Sequence, residues 1–565
     1  MPPLPEAAKH LDEIRPSAPA TGGPAPLLST LKRELERNVA ELKSRANPAP
    51  YFMSYEAIEE HSVTIEASFG ALKESSADAW RALDVDVRVG DKKLDNTHRV
   101  RGDSDGMRDF TRSGWLPLDD DDAAIRSVAW LTTHGEYERA LEDLDRVHAN
   151  KRVMVEEEDS SDDFSVERVS HFHDKPAVLS VDRGAWEARL RRDSHAFAEH
   201  PEIFESSVTL EASAETRYVA NSEGSTLQVA RTHARIDVTA STTADDGMRL
   251  ERTESIDAES TDALPDDARL AATVQTVVAD LTALRKAPLV DPYAGPAILD
   301  GRAAGVFFHE IFGHRVEGHR QKDEEEGQTF SGKIGEAIMP AFLDVYDDPS
   351  ISVLNGTHLN GYYPFDDEAI QGRHAPLVEH GVLRGFLLSR SPARGFLHSN
   401  GHGRRERGHR VVSRQANLVV DPVRTTTPEA LKERLIAEVR AQGLPFGLRF
   451  HEITGGYTNT TRMGTQAFKV LPVMVYRVYP DGREELVRGV DLEGTPLVAL
   501  ARIEAAANDF SVFNGVCGAE SGWVPVSATS PSILVSQIEV TRRQKGRERP
   551  PLLPAPSAIH GEAIR

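Results

Sequence analysis

The chain has 565 residues, too many for one hydrophobic core, because such cores stop growing at about 250–300 residues. We therefore expect two domains. Its 66 basic and 89 acidic residues give a net charge of −23, which disfavours direct contact with nucleic acid or anionic membranes. The single cysteine excludes an internal disulfide, and the sequence shows neither a signal-peptide core nor a membrane span. A cytoplasmic protein is the expectation.

The first half of the chain predicts a mixed α/β domain over residues 28–288, preceded by a Pro/Ala-rich disordered tail at 1–27. Helical spacing of apolar residues predicts a helix over 28–45. The acidic run 119–122 suits the N-terminus of a helix-rich stretch over 122–150, and a further helix is predicted over 265–285. Alternating patterns predict strands at 62–68, 83–89, 207–213, 226–229 and 234–240. Residues 207–213 nearly repeat 62–68, which we interpret as two amphipathic strands of similar design. The acidic stretch 156–163 predicts an exposed loop.

The second half predicts a β-rich domain over residues 297–541. Residues 289–296 have the composition of a linker, and short strand-like runs separated by glycine and proline follow. Residues 428–442 predict a helix with Thr427 as its N-cap, and the basic, Pro-rich residues 542–565 predict a disordered tail. The expected fold class is α+β, with two domains and a short metal-binding helix in the second.

One motif in the second half points to chemistry. His309, Glu310 and His314 form the pattern H-E-x-x-x-H after an apolar, strand-like run at 303–308. Imidazoles and carboxylates close in sequence are typical of metal-dependent hydrolases. By chance alone, however, a chain with 21 histidines would contain this pattern roughly one time in twenty.

The spacing of the two histidines needs a local irregularity. The familiar zinc motif places histidines at i and i+4, whereas five steps along an α-helix turn the chain through roughly 500°, which leaves the second ring about 140° away from the first. A π-type turn would align i with i+5, and we prefer this solution. Alternatively, Gly313 could end the helix and let His314 swing round.

A catalytic zinc site needs a third protein ligand and an open position. Cys517, flanked by Gly515 and Gly518, is the preferred candidate. A lone cysteine is also typical of a small buried hydrophobic residue, and Glu317 and His319 are rival ligands because they are close in sequence. Glu310 is suited to act as general base towards water at the metal.

Five separated motifs in the second half, and one in the first, occur together in a known family. They are the HExxxH run, residues 330–332 with 335–336 (FSG and GE), 366–368 (DDE), 379–383 (EHGVL), 514–518 (NGVCG) and, in the first half, 221–224 (NSEG). In this order they resemble the TldD/PmbA family of metallopeptidases, over roughly residues 30–545.

The resemblance implies a zinc peptidase in which His309, His314 and Cys517 bind Zn²⁺ and Glu310 is the catalytic base. It implies a TldD-like chain, since the family's TldE-like (PmbA) chains lack the metal motif. Family members form dimers around an enclosed cavity and degrade small or unfolded peptides. The expected partners are therefore a peptide substrate and a second subunit, either another copy or a TldE-like chain. Residues 457–470 depart from the family pattern, which leaves substrate contacts there undefined.

Other interpretations stay open. The chain could be a non-hydrolytic regulatory or scaffold subunit, similar to a gyrase modulator, with a structural metal. The basic loop 401–410 could clamp a carboxylate or phosphate, although a solvated loop is the simpler interpretation. In the peptidase hypothesis, an extended substrate could add as a strand to an exposed sheet edge, where main-chain hydrogen bonds tolerate many side chains.

Overall fold

The computed structural model describes residues 23–100, 109–153, 159–323, 326–462, 467–543, 551 and 553. Helices and strands alternate irregularly along the chain, and the fold is α+β, as the sequence predicts. Most of the two predicted disordered tails lies outside the described residues. None of the described helices is both long and apolar enough to cross a membrane.

In the part of the first half that the structure describes, there are four α-helices and seven strands. The helices are α1 (Pro26–Arg45), α2 (Asp122–Val153), α3 (Arg183–Ser194) and α4 (Asp267–Lys286). The strands are β1 (Pro50–Ser68), β2 (Ala71–Val89), β3 (Arg112–Trp115), β4 (His171–His173), β5 (Glu205–Asn221), β6 (Thr226–Thr243) and β7 (Arg249–Ala258). The three predicted helices α1, α2 and α4 are therefore confirmed within a few residues.

These strands form one sheet in the order β3-β2-β1-β5-β6-β4, with β7 also paired to β6. The two similar segments predicted at 62–68 and 207–213 lie side by side and antiparallel in it. Val63 is opposite Ala212, and Ile65 is opposite Leu210. All four side chains are buried in the same core. The two segments are similar because both bury alternate residues on one face of a shared sheet.

The acidic stretch predicted as an exposed loop departs from that expectation at its C-terminal end. Residues 154–158 are outside the described residues, but Asp163 is only 3% exposed. Its carboxylate lies 2.7 Å from Nδ1 of His98 and 3.1 Å from Nζ of Lys322. The prediction is wrong for Asp163 because partners distant in the sequence neutralise its charge and allow its burial.

The second half begins with a strand rather than a linker. Its strands are β8 (Tyr293–Leu299), β9 (Leu343–Asp347), β10 (Val353–Leu354), β11 (Thr357–His358), β12 (Ala375–Glu379), β13 (Val382–Leu383), β14 (Gly403–Arg404), β15 (Val412–Ser413), β16 (Asn417–Pro422), β17 (Gly447–Thr458), β18 (Phe468–Val478), β19 (Glu484–Val487), β20 (Val490–Gly494), β21 (Ile503–Ala506), β22 (Ser511–Ala519), β23 (Gly522–Ser530) and β24 (Ile533–Arg542). The helices are α5 (Gly301–Ile311), α6 (His319–Lys322), α7 (Pro428–Ala441) and α8 (Pro496–Ala501). The predicted helix at 428–442 is confirmed as α7, with Thr427 capping it through its side chain.

Two larger sheets organise these strands. One has the order β13-β12-β9-β16-β23-β22 and the other β17-β8-β24-β20-β18-β19. Because β17 also pairs with β18, five strands of the second sheet close into a ring. The linker predicted at 289–296 is wrong for residues 293–296, which lie in β8 between β17 and β24. The division into two domains stays a prediction.

Helix α5 packs against strands of both sheets, including β17 and β23. The residues at 303–308 that resemble a strand in the sequence lie inside this helix. Their uniform apolar character reflects burial on every side, which removes the amphipathic periodicity of a surface helix. Ten of the eleven residues of α5 are buried, so the helix is a rigid support for His309 and Glu310.

The basic loop 401–410 joins the two halves. The interpretation as a solvated loop is wrong, because His402 is fully buried and Arg404 is 6% exposed. Arg405 donates to Glu56 of β1, and Arg410 donates to Asp143 of α2 at 3.0 Å. These guanidinium groups are occupied by carboxylates of the same chain, which accounts for the basic run in an acidic protein.

Candidate metal centre

The helix that carries the motif ends between the two histidines. Phe312 leaves the helical region, with φ −122° and ψ −54°, and Gly313–Val316 continues as a 3₁₀ turn. The predicted π-turn is therefore wrong. The alternative, in which the helix ends at Gly313, describes the structure. The tighter turn brings the ring of His314 round to the side of His309, with their ring centroids 4.9 Å apart.

Gly313 is required here by close packing. A Cβ atom at this position would lie 1.8 Å from Oε1 of Gln415. The amide of Gln415 also lies 3.5 Å from the carbonyl oxygen of His309. The absence of a side chain at 313 therefore lets the segment before β16 pass directly beneath the break in the helix.

Three side chains converge at this break. Sγ of Cys517 lies 3.2 Å from Nε2 of His309 and 3.3 Å from Nε2 of His314. All three residues are buried, and their ligand atoms lie within 4.8 Å of one another. Within the described ranges this is the one such group of metal-ligating side chains. Two imidazoles and a thiolate form a typical zinc donor set, so the residues fit the metal that the motif implies.

The electrostatics of the three residues favour the charged thiolate. Burial alone would raise the pKa of Cys517, but His314 and His309 lower that pKa well below its usual value. Burial would likewise lower the pKa of His314, but the Cys517 thiolate and Glu317 raise it well above its usual value. A thiolate is the form of cysteine that binds metal.

Glu317 and His319, the rival ligands, have other partners. Oε2 of Glu317 lies 3.3 Å from Nδ1 of His314, the ring nitrogen opposite the one that faces Cys517. His319 instead pairs with Glu520. Burial would raise the pKa of Glu317, but His314, Arg320 and Arg414 lower it to about 2. Glu317 is therefore an anion that orients a ligand, as carboxylates commonly do behind metal-binding histidines.

Glu310 lies beside the three donors with one oxygen free. It is 5% exposed, and its Oε2 has no hydrogen-bond partner in the described part of the chain. Burial raises the pKa of the Glu310 carboxyl above its usual value. A buried carboxylate oxygen without a partner is costly, and such groups are typical of sites that handle protons.

The three candidate metal ligands, His309, His314 and Cys517, line a cleft of about 1260 Å³ together with Glu310. Both halves of the chain form its walls, including Leu264 and Pro265 on one side and Phe513 on the other. Residues 453–458 of β17 and Thr460 also line it; of these, Tyr457, Thr458 and Thr460 fall in the region that departs from the family pattern. Residues 463–466 lie outside the described residues. The acidic triplet 366–368 is not among the lining residues.

Several residues that support the site have no distinguishing signal in the sequence. Arg315 donates to the carbonyl oxygen of Glu310 at 2.7 Å and to that of Asn459 at 3.2 Å. Gly456 packs against Glu310, since a Cβ atom there would lie 2.8 Å from its Cγ. Arg414 donates to the carbonyl oxygen of Cys517. Apart from the contact between Arg315 and Glu310, these partners are remote in sequence, so only the fold shows the contacts.

Known proteins share this part of the chain. Residues 293–542 match the PmbA/TldA metallopeptidase C-terminal domain. A metalloprotease of Methanocaldococcus jannaschii is 28% identical over 40% of this chain and 47% of its own length. A zinc metalloprotease TldD homolog of Saccharolobus solfataricus is 26% identical over 44% of this chain and 52% of its own length. The chain thus matches about half the length of these relatives.

The fold is shared more widely than the sequence. The crystal structure of TldE from Thermococcus kodakarensis superposes with a TM-score of 0.60, covering 90% of this chain and all of that chain at 13% identity. At that identity the likeness concerns the fold alone. The matched C-terminal domain contains His309, His314 and Cys517 at one point in space. By these findings residues 293–542, somewhat less than half of the chain, resemble the metallopeptidase C-terminal domain of the TldD/PmbA family.

Proposed function

We propose that this protein is a zinc-dependent peptidase that hydrolyses small or unfolded peptides, with Glu310 as general base. The observation that carries the proposal is the convergence of His309, His314 and Cys517 beside a Glu310 oxygen that has no hydrogen-bond partner among the described residues. A purely structural zinc site has no need of such a carboxylate. The name of the Saccharolobus relative supports zinc as the metal.

In the proposed reaction, zinc, Glu310 and Arg315 would have separate roles. Zinc, when bound, supplies a Lewis acid that acidifies water and polarises a carbonyl group. Glu310 would accept a proton from the attacking water and deliver it to the leaving amine, since Glu310 lines the cleft and its Oε2 has no hydrogen-bond partner among the described residues. Arg315 holds the main chain of Glu310 in place, which keeps the base at a fixed distance from the donors.

An extended peptide would bind along strand β22. This strand is at the edge of its sheet, paired on one side with β23, and it carries Cys517. Residues 513–519 of β22 line the cleft. A peptide added to this edge would place its main chain next to the donors and form backbone hydrogen bonds that are independent of sequence, which suits small or unfolded substrates of varied composition.

We also propose that the protein works as a dimer, either with a second copy or with a TldE-like chain. The family resemblance and the TldE-like fold support this assembly. Sedimentation of the purified protein tests the first case, and co-purification with a TldE-like chain from the same organism tests the second. A monomer in both experiments would contradict the proposal.

The deciding experiment combines metal analysis with digestion of an unstructured test peptide, with and without a chelator. Glu310→Gln should retain zinc and lose hydrolysis by at least ~100-fold, as expected when a general base is removed. Glu251→Gln is the matched control, because Glu251 is an exposed carboxylate lining the same cleft. Hydrolysis that survives in the Glu310 variant would overturn the proposal. Zinc without hydrolysis in the wild type would favour a regulatory or scaffold subunit with a structural metal.

A further inference from the structure

One buried arginine contacts both segments that carry the metal ligands. Arg414 is fully buried and lies between β15 and β16, outside the HExxxH motif. A buried guanidinium is costly unless each of its groups finds a partner. The partners of Arg414 therefore indicate what this cation stabilises.

The first set of partners belongs to the hairpin that carries Cys517. One terminal nitrogen of Arg414 donates to the carbonyl oxygen of Cys517 at 2.6 Å. The other donates to Oγ of Ser521 at 2.8 Å and to the carbonyl oxygen of Gly522 at 3.0 Å. The planar guanidinium group of Arg414 thus links β22 to the beginning of β23. It also fixes the main chain at Cys517, which supplies the sulfur.

The second partner lies behind His314. Nε of Arg414 lies 3.5 Å from Oε1 of Glu317, whose other oxygen lies 3.3 Å from Nδ1 of His314. Arg320 binds the same Oε2 at 2.8 Å. Glu317 is therefore held between two guanidinium groups, and its position determines the orientation of the His314 ring.

We propose that Arg414 is a positioning residue for the metal centre, which sets the separation of the Cys517 and His314 ligands by holding the backbone of one and the carboxylate partner of the other. This inference rests on the proposed zinc site. Residues behind the ligands of a zinc site typically change metal affinity by about 10- to 100-fold when they are replaced. The loss of zinc affinity on replacing Arg414 should lie at the upper end of this range, because Arg414 acts on two ligands at once.

Zinc affinity, measured by competition with a chelator of known affinity, tests the proposal without reference to activity. Arg414→Met should weaken zinc binding by about 100-fold. Arg390→Met is the matched control, because Arg390 is 1% exposed and pairs with Ser165 and Glu223, away from the ligands. The control should lose thermal stability in the metal-free state to a similar degree and keep its zinc affinity.

Two further measurements separate positioning from general stability. Arg414→Lys keeps the positive charge but removes the planar guanidinium group with its two terminal nitrogens. This variant should show intermediate zinc affinity and a native circular dichroism spectrum. In Arg414→Ala, added methylguanidinium should restore zinc affinity, and it should restore the thiolate-to-metal absorption of the cobalt-substituted protein. No such rescue is expected in Arg390→Ala.

The outcomes distinguish this inference from the proposed function. A wild-type protein that binds no zinc would overturn the metal site itself. A wild-type protein that binds zinc, together with an Arg414→Met variant of unchanged affinity, would overturn only the role of Arg414. Equal losses of zinc affinity in the Arg414→Met and Arg390→Met variants would also overturn it, since the effect would then be one of stability alone.

Discussion

Sγ of Cys517 lies 3.2 Å from Nε2 of His309, although 208 positions separate the two residues in the sequence. The contact depends on packing of α5 against the β22–β23 hairpin. Helix and hairpin are parts of one buried framework, so the donors are pre-positioned before any metal binds. Such pre-organisation reduces the entropy that binding a metal would otherwise cost.

The thiol gives a direct test of metal occupancy. Because Cys517 is the chain's only cysteine, every thiol titration reports on this site. We expect a thiol reagent to modify chelator-treated protein and to leave zinc-loaded protein largely unmodified, since a bound metal covers the sulfur. Peroxide should likewise release zinc and abolish hydrolysis. Zinc binding and hydrolysis at wild-type levels after complete alkylation would exclude Cys517 as a ligand.

The packing of Gly456 against Glu310 gives a second test. A Cβ atom at 456 would lie 2.8 Å from Cγ of Glu310 and 2.9 Å from the carbonyl oxygen of Lys469. Because the carbonyl belongs to the main chain of β18, Gly456→Ala should displace the Glu310 side chain. We expect kcat to fall by roughly 100-fold, the typical effect of misplacing a catalytic group by about 1 Å, with zinc content unchanged.

Gly455→Ala is the control for this substitution. It adds the same methyl group to the same strand, but no atom lies within 4 Å of the added carbon. Steady-state kinetics on a test peptide, together with metal analysis of both variants, distinguish the cases. If the two variants have equal activity, Gly456 does not constrain the base.

The three candidate metal ligands, which the fold brings together, could be proposed from the sequence because their chemistry is specific. An HExxxH run and a glycine-flanked cysteine are rare combinations, and the pattern of motifs around them restricts the family further. The long helices α1 and α2 were also predictable from local properties of the chain, α1 from its apolar spacing and α2 from the acidic run at its N-terminus. Glu310 follows from the same motif.

The errors in prediction share a different physical cause. The linker at 289–296, the strand at 303–308 and the loop at 401–410 were assigned from local composition. The buried parts of each are covered by partners remote in sequence, such as Glu56 for Arg405. Residues 303–308 of α5 are all apolar because sheets cover the helix, so periodicity within this run could not separate helix from strand. At the break before His314, Gly313 packs against the side chain of Gln415, about a hundred residues later.

That break leads to a third prediction. Gly313→Ala would place a Cβ atom 1.8 Å from Oε1 of Gln415, so the buried amide of Gln415 must move. We expect a loss of about 1–3 kcal/mol in the free energy of unfolding, as is typical of overpacking, and a weaker zinc affinity because His314 follows directly. Chemical denaturation and chelator competition measure the two effects.

Gln415→Ala should partly reverse both effects in the double variant, because it removes the amide that the new methyl group would meet. The coupling between the two substitutions should therefore be favourable, in the range of about 0.5–3 kcal/mol that neighbouring residues show. Additive losses in the double variant would mean that the constraint on Gly313 does not come from Gln415.

The contact between α2 and the loop 401–410 predicts a dependence of stability on pH. Glu136 is fully buried, and its nearest cationic nitrogens, on Arg139 and Arg410, are 3.7 and 3.9 Å away. Burial raises the pKa of Glu136 to about 7. Between roughly pH 4.5 and 7 the folded protein therefore retains a proton that the unfolded chain has lost, so this group makes the protein less stable as pH rises.

Above pH 7 the ionised Glu136 should lower the free energy of unfolding by about 3 kcal/mol, since each unit of pKa shift corresponds to about 1.4 kcal/mol. Glu136→Gln, which stays neutral, should therefore raise the free energy of unfolding relative to wild type at pH 8 and have little effect at pH 4.5. Glu138→Gln, a change at an exposed carboxylate on the same helix, should show no such difference between the two pH values. Urea denaturation of the wild type and both variants across this pH range tests the prediction. If Glu136→Gln is no more stable than the wild type at pH 8, the prediction is wrong, and Arg139 and Arg410 stabilise the Glu136 carboxylate despite its burial.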